Sequence, residues 1–284
     1  MTVEMSAGSE APFTLRGKTA IVTGGGRGIG RATVQLLASA GANVLASDLD
    51  QDALKEMQSS VRNPRLVASI RGDLTDPYFP QQIVNAALES FHSIDIVVNC
   101  AGFSWDSVIQ KTSDEQFLAM LNIHVVAPFR LLRAASGYLR ETAKQEIAEG
   151  RPVMRKVVNI TSISGTDGNP GQAGYAAGKA GVIGLTKTLA KEWGRYNINV
   201  NAVGFGLIQT RMTQPLKPEG RIKMGGKDIP IGVQPGMLES AASACPLGRI
   251  GTPEEAAGAV LFFCSPLSDY VTGEVLICSG GFHF

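Results

Sequence analysis

Histidine and cysteine are scarce in this chain, three and four among 284 residues. His92, His124 and His283 fall in no HxxxH or HExxH arrangement, and no two of Cys100, Cys245, Cys264 and Cys278 stand in CxxC spacing. No metal site and no disulfide framework is therefore expected; buried reduced thiols are, and each histidine reads as structural. Charge imbalance is missing too: 26 basic residues face 25 acidic ones, a net charge of +1. Without a basic block, neither nucleic acid nor an anionic membrane is an expected partner. No apolar run in the sequence reads as a bilayer span. The opening stretch MTVEMSAGSEAPF lacks the basic and apolar regions of a secretory signal. Residues 1–14 read as a flexible extension, residues 15–284 as one domain, and the cytoplasm as the compartment.

What the chain has is alternation. Short β-branched runs, KTAIVT (18–23), NVLASD (43–48), LVASIRGD (66–73), IDIVVNCAG (94–102), KVVNITS (156–162), INVNAV (198–203) and GEVLICSGG (273–281), read as strands. Between them, residues 30–41, 114–139 and 175–194 carry helical spacing, the second with Pro128 as a predicted kink. The alternation implies an α/β fold: a single Rossmann-type, doubly wound parallel sheet of about seven strands with helices on both faces. Residues 211–249 break the rhythm with five prolines, and following the sixth strand they are placed to cover the carboxyl edge of the sheet. A substrate lid is the preferred reading there, a mobile surface loop the other.

Three stretches carry chemistry. TGGGRGIG (23–30) follows the first strand and opens a helix, so backbone N–H groups and a helix N-terminus can meet a pyrophosphate. Its glycines Gly24, Gly28 and Gly30 are spaced GxxxGxG, neither the GxGxxG fingerprint nor a P-loop. Asp48 ends the second strand, where a carboxylate accepts ribose hydroxyls and repels a 2′-phosphate; this favours NAD, while Arg27 in the glycine loop leans towards NADP. In GYAAGK (174–179), Tyr175 and Lys179 lie one helical turn apart. Such a pair is either a surface contact or a phenol acidified for proton transfer; a free tyrosine titrates near about 10, and a charged neighbour would lower that value.

With these motifs, GDLT at Asp73, NCAG (99–102), Asn122 and Ser162 thirteen residues before Tyr175, the chain resembles the short-chain dehydrogenase/reductase family from about residue 15 to 281. Residues 246–281 are similar to the 3-oxoacyl-[acyl-carrier-protein] reductase branch. The resemblance implies a catalytic set of Asn122, Ser162, Tyr175 and Lys179. It implies a dinucleotide groove formed by Gly24, Arg27, Gly28, Ile29, Gly30, Asp48, Asp73, Leu74, Asn99, Ala101 and Gly102, with Gly206, Ile208 and Thr210 near the nicotinamide and Tyr175 and Lys179 also touching the cofactor. Substrate contacts would come from Ser162, Tyr175, Gln172 and Phe205. Phe205–Gly206 departs from the family's usual Pro-Gly, which frees a backbone torsion and adds an aromatic ring. A homotetramer or homodimer is also implied.

The expected function is an NAD(P)-dependent oxidoreductase interconverting a ketone and a secondary alcohol, foremost a 3-oxoacyl-thioester reductase. A dehydrogenase of a steroid, sugar or other secondary alcohol is the alternative, and a catalytically silent dinucleotide sensor is the reading from another class.

Overall fold

The structure, a computed structural model, describes residues 13–215, 221–224, 227–233 and 236–283. Among the described residues, nine strands run in chain order: β1 (Thr19–Thr23), β2 (Asn43–Asp48), β3 (Val67–Arg71), β4 (Ile96–Asn99), β5 (Arg155–Ser162), β6 (Ile198–Phe205), β7 (Arg221–Met224), β8 (Lys227–Pro230) and β9 (Val275–Cys278). Seven of them form one parallel sheet in the order β3-β2-β1-β4-β5-β6-β9. The order reverses between β1 and β4, and a crevice opens at the carboxyl ends of the strands there.

The helices are α1 (Gly28–Ser39), α2 (Gln51–Ser60), α3 (Phe79–Phe91), α4 (Asp114–Leu121), α5 (Ala127–Ala148), α6 (Ile163–Asp167), α7 (Ala173–Trp193), α8 (Met237–Ala244) and α9 (Pro253–Cys264). Alternate strand residues point to opposite faces. Ile21 therefore joins a cluster with Ile83 of α3, Leu131 of α5 and Ala190 of α7, while Ala20 and Val22 join Val34 of α1, Leu54 of α2 and Phe263 of α9. Both faces of the sheet are thus covered, which is why its strands read as apolar runs without clean alternation.

The break expected at Pro128 falls earlier. Asn122–Val126 form a π-helical turn between α4 and α5, in which the Ala127 N–H bonds the Asn122 carbonyl. Pro128 sits in the first turn of α5, where its missing N–H is tolerated; the wide turn ahead of it takes up the distortion. The expectation that nothing here is span-like also needs correcting. The helical run Asp114–Ala148 is long and apolar enough to cross a membrane, by length and composition alone. A core helix of a folded domain has the same length and composition, and Leu131, Leu132, Ala135 and Leu139 of this run lie in the core.

The segment read as irregular, 211–249, is more ordered than its prolines suggest. β7 and β8 pair as an antiparallel hairpin, α8 follows, and Ile229 is packed into the first apolar cluster. Residues 216–220, 225–226 and 234–235 of the predicted lid lie outside the described residues, as do residues 1–12 of the predicted extension.

Candidate active site

A cleft of about 650 Å³ opens along the carboxyl edge of the sheet. One end is built on the β1–α1 loop. Gly24 adopts a positive φ of 65°, and a Cβ there would approach Ala101 Cα to 2.7 Å. A Cβ on Gly30 would lie 2.0 Å from the Gly24 carbonyl oxygen, so only glycine lets α1 start this close to β1. Thr23 Oγ1 accepts from the Cys100 and Ala101 N–H groups at 3.1 and 3.2 Å and ties the end of β1 to the chain leaving β4. The result is a bare backbone cradle before a twelve-residue helix with no acidic side chain in its first turn. This fits a dinucleotide pyrophosphate.

Asp48 borders the same end. Its Oδ2 accepts from the Gly26 N–H at 3.0 Å and its Oδ1 from the Asp50 N–H at 3.0 Å, which fixes the carboxylate at the tip of β2. Arg27 turns away to Asp50, with Nη2 2.9 Å from Oδ2. Arg71 also lines this end and gives Nε to the Leu49 carbonyl at 3.2 Å. Asp73 closes a turn by accepting from the Thr75 N–H and hydroxyl.

The other end holds the hydroxyls. β5 ends at Ser162, whose side chain accepts from the Ser164 N–H at 3.1 Å and so caps α6, and donates to the Phe205 carbonyl at 3.4 Å. α7 presents Tyr175 and, one turn on, buried Lys179; Nζ lies 5.6 Å from the Tyr175 ring centre and donates to the Ile160 carbonyl at 2.9 Å. Burial pushes the Tyr175 phenol up to about 12; hydrogen bonding to Ser162 opposes this, while Asp106 and Cys100 add to it. Burial also brings Lys179 down to about 8. The direction at Tyr175 is the reverse of the sequence expectation. The removal of water dominates and the Ser162 hydrogen bond does not offset it, so protein groups alone do not make this phenol acidic.

Most predicted residues meet in the cleft. Gly24, Arg27, Gly28, Ile29, Gly30, Asp48, Asp73 and Leu74 line the nucleotide end, and Ala101, Gly102, Ser162, Tyr175, Lys179, Phe205, Gly206, Ile208 and Thr210 line the rest. Three do not line it. Asn99 is buried beneath the cleft, with Nδ2 donating to Asn159 Oδ1 at 2.8 Å. Asn122 begins the π turn. Gln172 braces a neighbouring loop, giving Nε2 to Asp106 at 2.8 Å and accepting from Ser164 and Asn169.

Phe205 needs no proline to fix its backbone, because it is the last residue of β6, in register with Ser162 and Cys278. It is buried and forms part of the cleft wall. Arg211, Met212 and Thr213, at the start of the predicted lid, line the cleft as well.

Sequence reasoning missed His124. It is 3 % exposed, lines the cleft, and packs edge-to-face on Tyr175 with ring centres 4.9 Å apart. The available signal was the pair of glycines that make room for it: a Cβ on Gly102 would come within 2.4 Å of its ring, and one on Gly178 within 2.9 Å of its Cβ.

A family profile described as Enoyl-(Acyl carrier protein) reductase matches residues 24–283. The chain belongs to the short-chain dehydrogenase/reductase family. It is 36 % identical over 268 residues to a 3-oxoacyl-[acyl-carrier-protein] reductase of Thermotoga maritima, covering 94 % of this chain and 98 % of that one. A protein of the same description from Aquifex aeolicus is 36 % identical over 271 residues, with the same coverage. Among solved structures, a Brucella melitensis short-chain dehydrogenase/reductase described as a glucose/ribitol dehydrogenase superposes with a TM-score of 0.81 at 26 % identity, covering 96 % of this chain and 100 % of that one. A Bacillus anthracis short chain dehydrogenase gives 0.78 at 28 % identity, covering 93 % and 96 %. This short-chain dehydrogenase/reductase is an NAD(P)-dependent oxidoreductase.

Proposed function

We propose that the chain reduces a 3-oxoacyl thioester to the 3-hydroxyacyl thioester, with NADH preferred over NADPH. The observation that carries the chemistry is the meeting of Ser162, Tyr175 and Lys179 at one end of a cleft whose other end is a glycine cradle and a fixed aspartate. The relatives named as 3-oxoacyl reductases, matched over nearly their whole length, support the substrate class.

When bound, the nicotinamide supplies a hydride to the carbonyl carbon, or takes one from the alcohol carbon in reverse. The Ser162 hydroxyl holds the substrate oxygen and orients it. The Tyr175 phenol gives that oxygen its proton, and Lys179 stabilises the phenolate that remains. Lys179 and the positive charge of an oxidised nucleotide together offset the burial that holds the phenol near 12. Gly24, Gly28 and Gly30 would hold the pyrophosphate, and Asp48 the adenosine ribose. Asn122, which opens the π turn, would hold a water that links Lys179 to solvent. Phe205 shapes the substrate wall.

Support for NAD comes from Asp48, whose charge is held where a 2′-phosphate would approach, and from Arg27, whose guanidinium is already paired with Asp50. A second reading, oxidation of a polyol or other secondary alcohol with NAD, is favoured by Asp48 and by the likeness to the Brucella protein. Exposed Leu118 and Phe129, on helices flanking the π turn, fit a homodimeric or homotetrameric assembly. Four free cysteines fit a cytoplasmic setting.

The test is loss of reduced-nucleotide absorbance with acetoacetyl thioester, NADH and NADPH side by side. Faster NADH oxidation is expected. Oxidation of neither, together with NAD-dependent oxidation in an alcohol panel, would replace the reductase reading with the dehydrogenase one.

A further inference from the structure

His124 has no part in the mechanism above, yet it sits against its central residue. Nε2 lies 2.8 Å from the Phe103 carbonyl oxygen. A carbonyl only accepts, so Nε2 carries the hydrogen and Nδ1 is a bare lone pair. Nδ1 is buried and has no hydrogen-bond partner within the protein. Leaving such an acceptor unmet is destabilising. The imidazole is held in place on both sides, by Gly102 and Gly178, and its ring stands at 87° to that of Tyr175. Burial and the Lys179 charge hold it neutral, well below the ordinary histidine range. The charged and titratable groups around this pair are Lys179, Cys100 and Asp106. A neutral, orientationally locked acceptor that lines the cleft beside the phenol is a built site for one O–H donor.

We propose that His124 is a positioning residue for the Tyr175–Lys179 pair: its Nδ1 accepts a hydrogen bond from an O–H group, a buried water or a ribose hydroxyl of the nucleotide, and so fixes that group beside the phenol. No bond to hydrogen is broken at His124; it orients. This inference rests on the active-site reading but not on the choice of substrate.

The direct test is ¹⁵N NMR of the full chain labelled at histidine. Three signals sets are expected, and the one lost in His124→Asn belongs to His124. Nδ1 should resonate as an imine nitrogen shifted upfield by an accepted hydrogen bond. If water is the donor, the shift is present before nucleotide is added; if the ribose hydroxyl is, it appears on adding NADH. An Nδ1 that stays at the unbonded imine position in both states, or that proves to be the protonated nitrogen, overturns the proposal.

Two variants add a functional arm, since asparagine can return a polar atom near Nδ1 and glutamine one near Nε2. With melting temperatures matched, His124→Gln should lower kcat about tenfold at unchanged KM, and His124→Asn should stay within about threefold of the wild type. The opposite ranking, or equal losses, would assign His124 a structural role through Phe103 instead. A chain that turns over no thioester at all fails the substrate reading and leaves the NMR result to decide this one.

Discussion

Lys179 and Tyr175 stand one helical turn apart with Nζ 5.6 Å from the ring centre, and burial moves their proton affinities apart, the amine down to about 8 and the phenol up to about 12. Each is held closer to its uncharged form than in water. The pair is therefore strained electrostatically in the protein alone, and this has a measurable consequence for stability.

Lys179 titrates near 8 in the folded chain against an ordinary 10.5. Below about 8 the fold must carry a buried ammonium; between the two values the unfolded chain binds the extra proton, so stability rises with pH across that window. Lys179→Met should therefore be more stable than the wild type at pH 7, by about 3 kcal/mol at most, with the gap shrinking as pH climbs past the folded value. Urea denaturation of both chains on either side of pH 8 measures this. A variant less stable than the wild type at pH 7 would show that the Ile160 hydrogen bond outweighs the desolvation.

Asp48 is fixed by two backbone N–H groups at the tip of β2. Asp48→Ser should narrow the preference for NADH over NADPH by about tenfold or more, chiefly by tightening NADPH, because the removed charge faces the 2′-phosphate at short range. Nucleotide fluorescence titrations give both affinities. An unchanged ratio would place the selector elsewhere at that end of the cleft, with Arg71 the first residue to examine.

Asn99 and Asn159 form the start of a buried chain of side-chain hydrogen bonds that continues from Asn159 Nδ2 to Thr186 Oγ1 at 2.9 Å. Asn99→Ala strands the Asn159 carbonyl oxygen and should cost about 1–3 kcal/mol of stability. Because Asn99 lies under the cleft rather than in its wall, nucleotide affinity measured well below the melting transition should change little. A selective loss of affinity with full stability would restore Asn99 to the binding groove.

The parts of the molecule that depend on local pattern could be read from the chain. Ile21, Val97 and Val157 lie in β-branched runs that are buried on both sides, so their strands announced themselves, and Gly24 and Gly30 marked the close approach of α1 to β1. Tyr175 and Lys179 stood out by their spacing, and Ser162 came from the family resemblance. What escaped depends on contacts between distant segments. Asn99 was expected in the groove from the resemblance, but its side chain is bonded to Asn159, on another strand. Gln172 looked like a substrate contact, but its amide is taken up by Asp106, Ser164 and Asn169. His124 was hidden because a π turn, invisible to a 3.6-residue period, sets where it faces. The direction of the Tyr175 shift was hidden for the same kind of reason: spacing shows the ammonium nearby, but only the packed site shows how little water remains.

The most direct test of the account is single-turnover hydride transfer in Tyr175→Phe beside the wild type, with nucleotide affinity measured on the same samples. The phenol as proton donor predicts a fall in the chemical step of about 10²–10⁴-fold with NADH affinity essentially unchanged. Transfer at close to the wild-type rate would contradict the account at its centre, because the ring without its hydroxyl would then suffice.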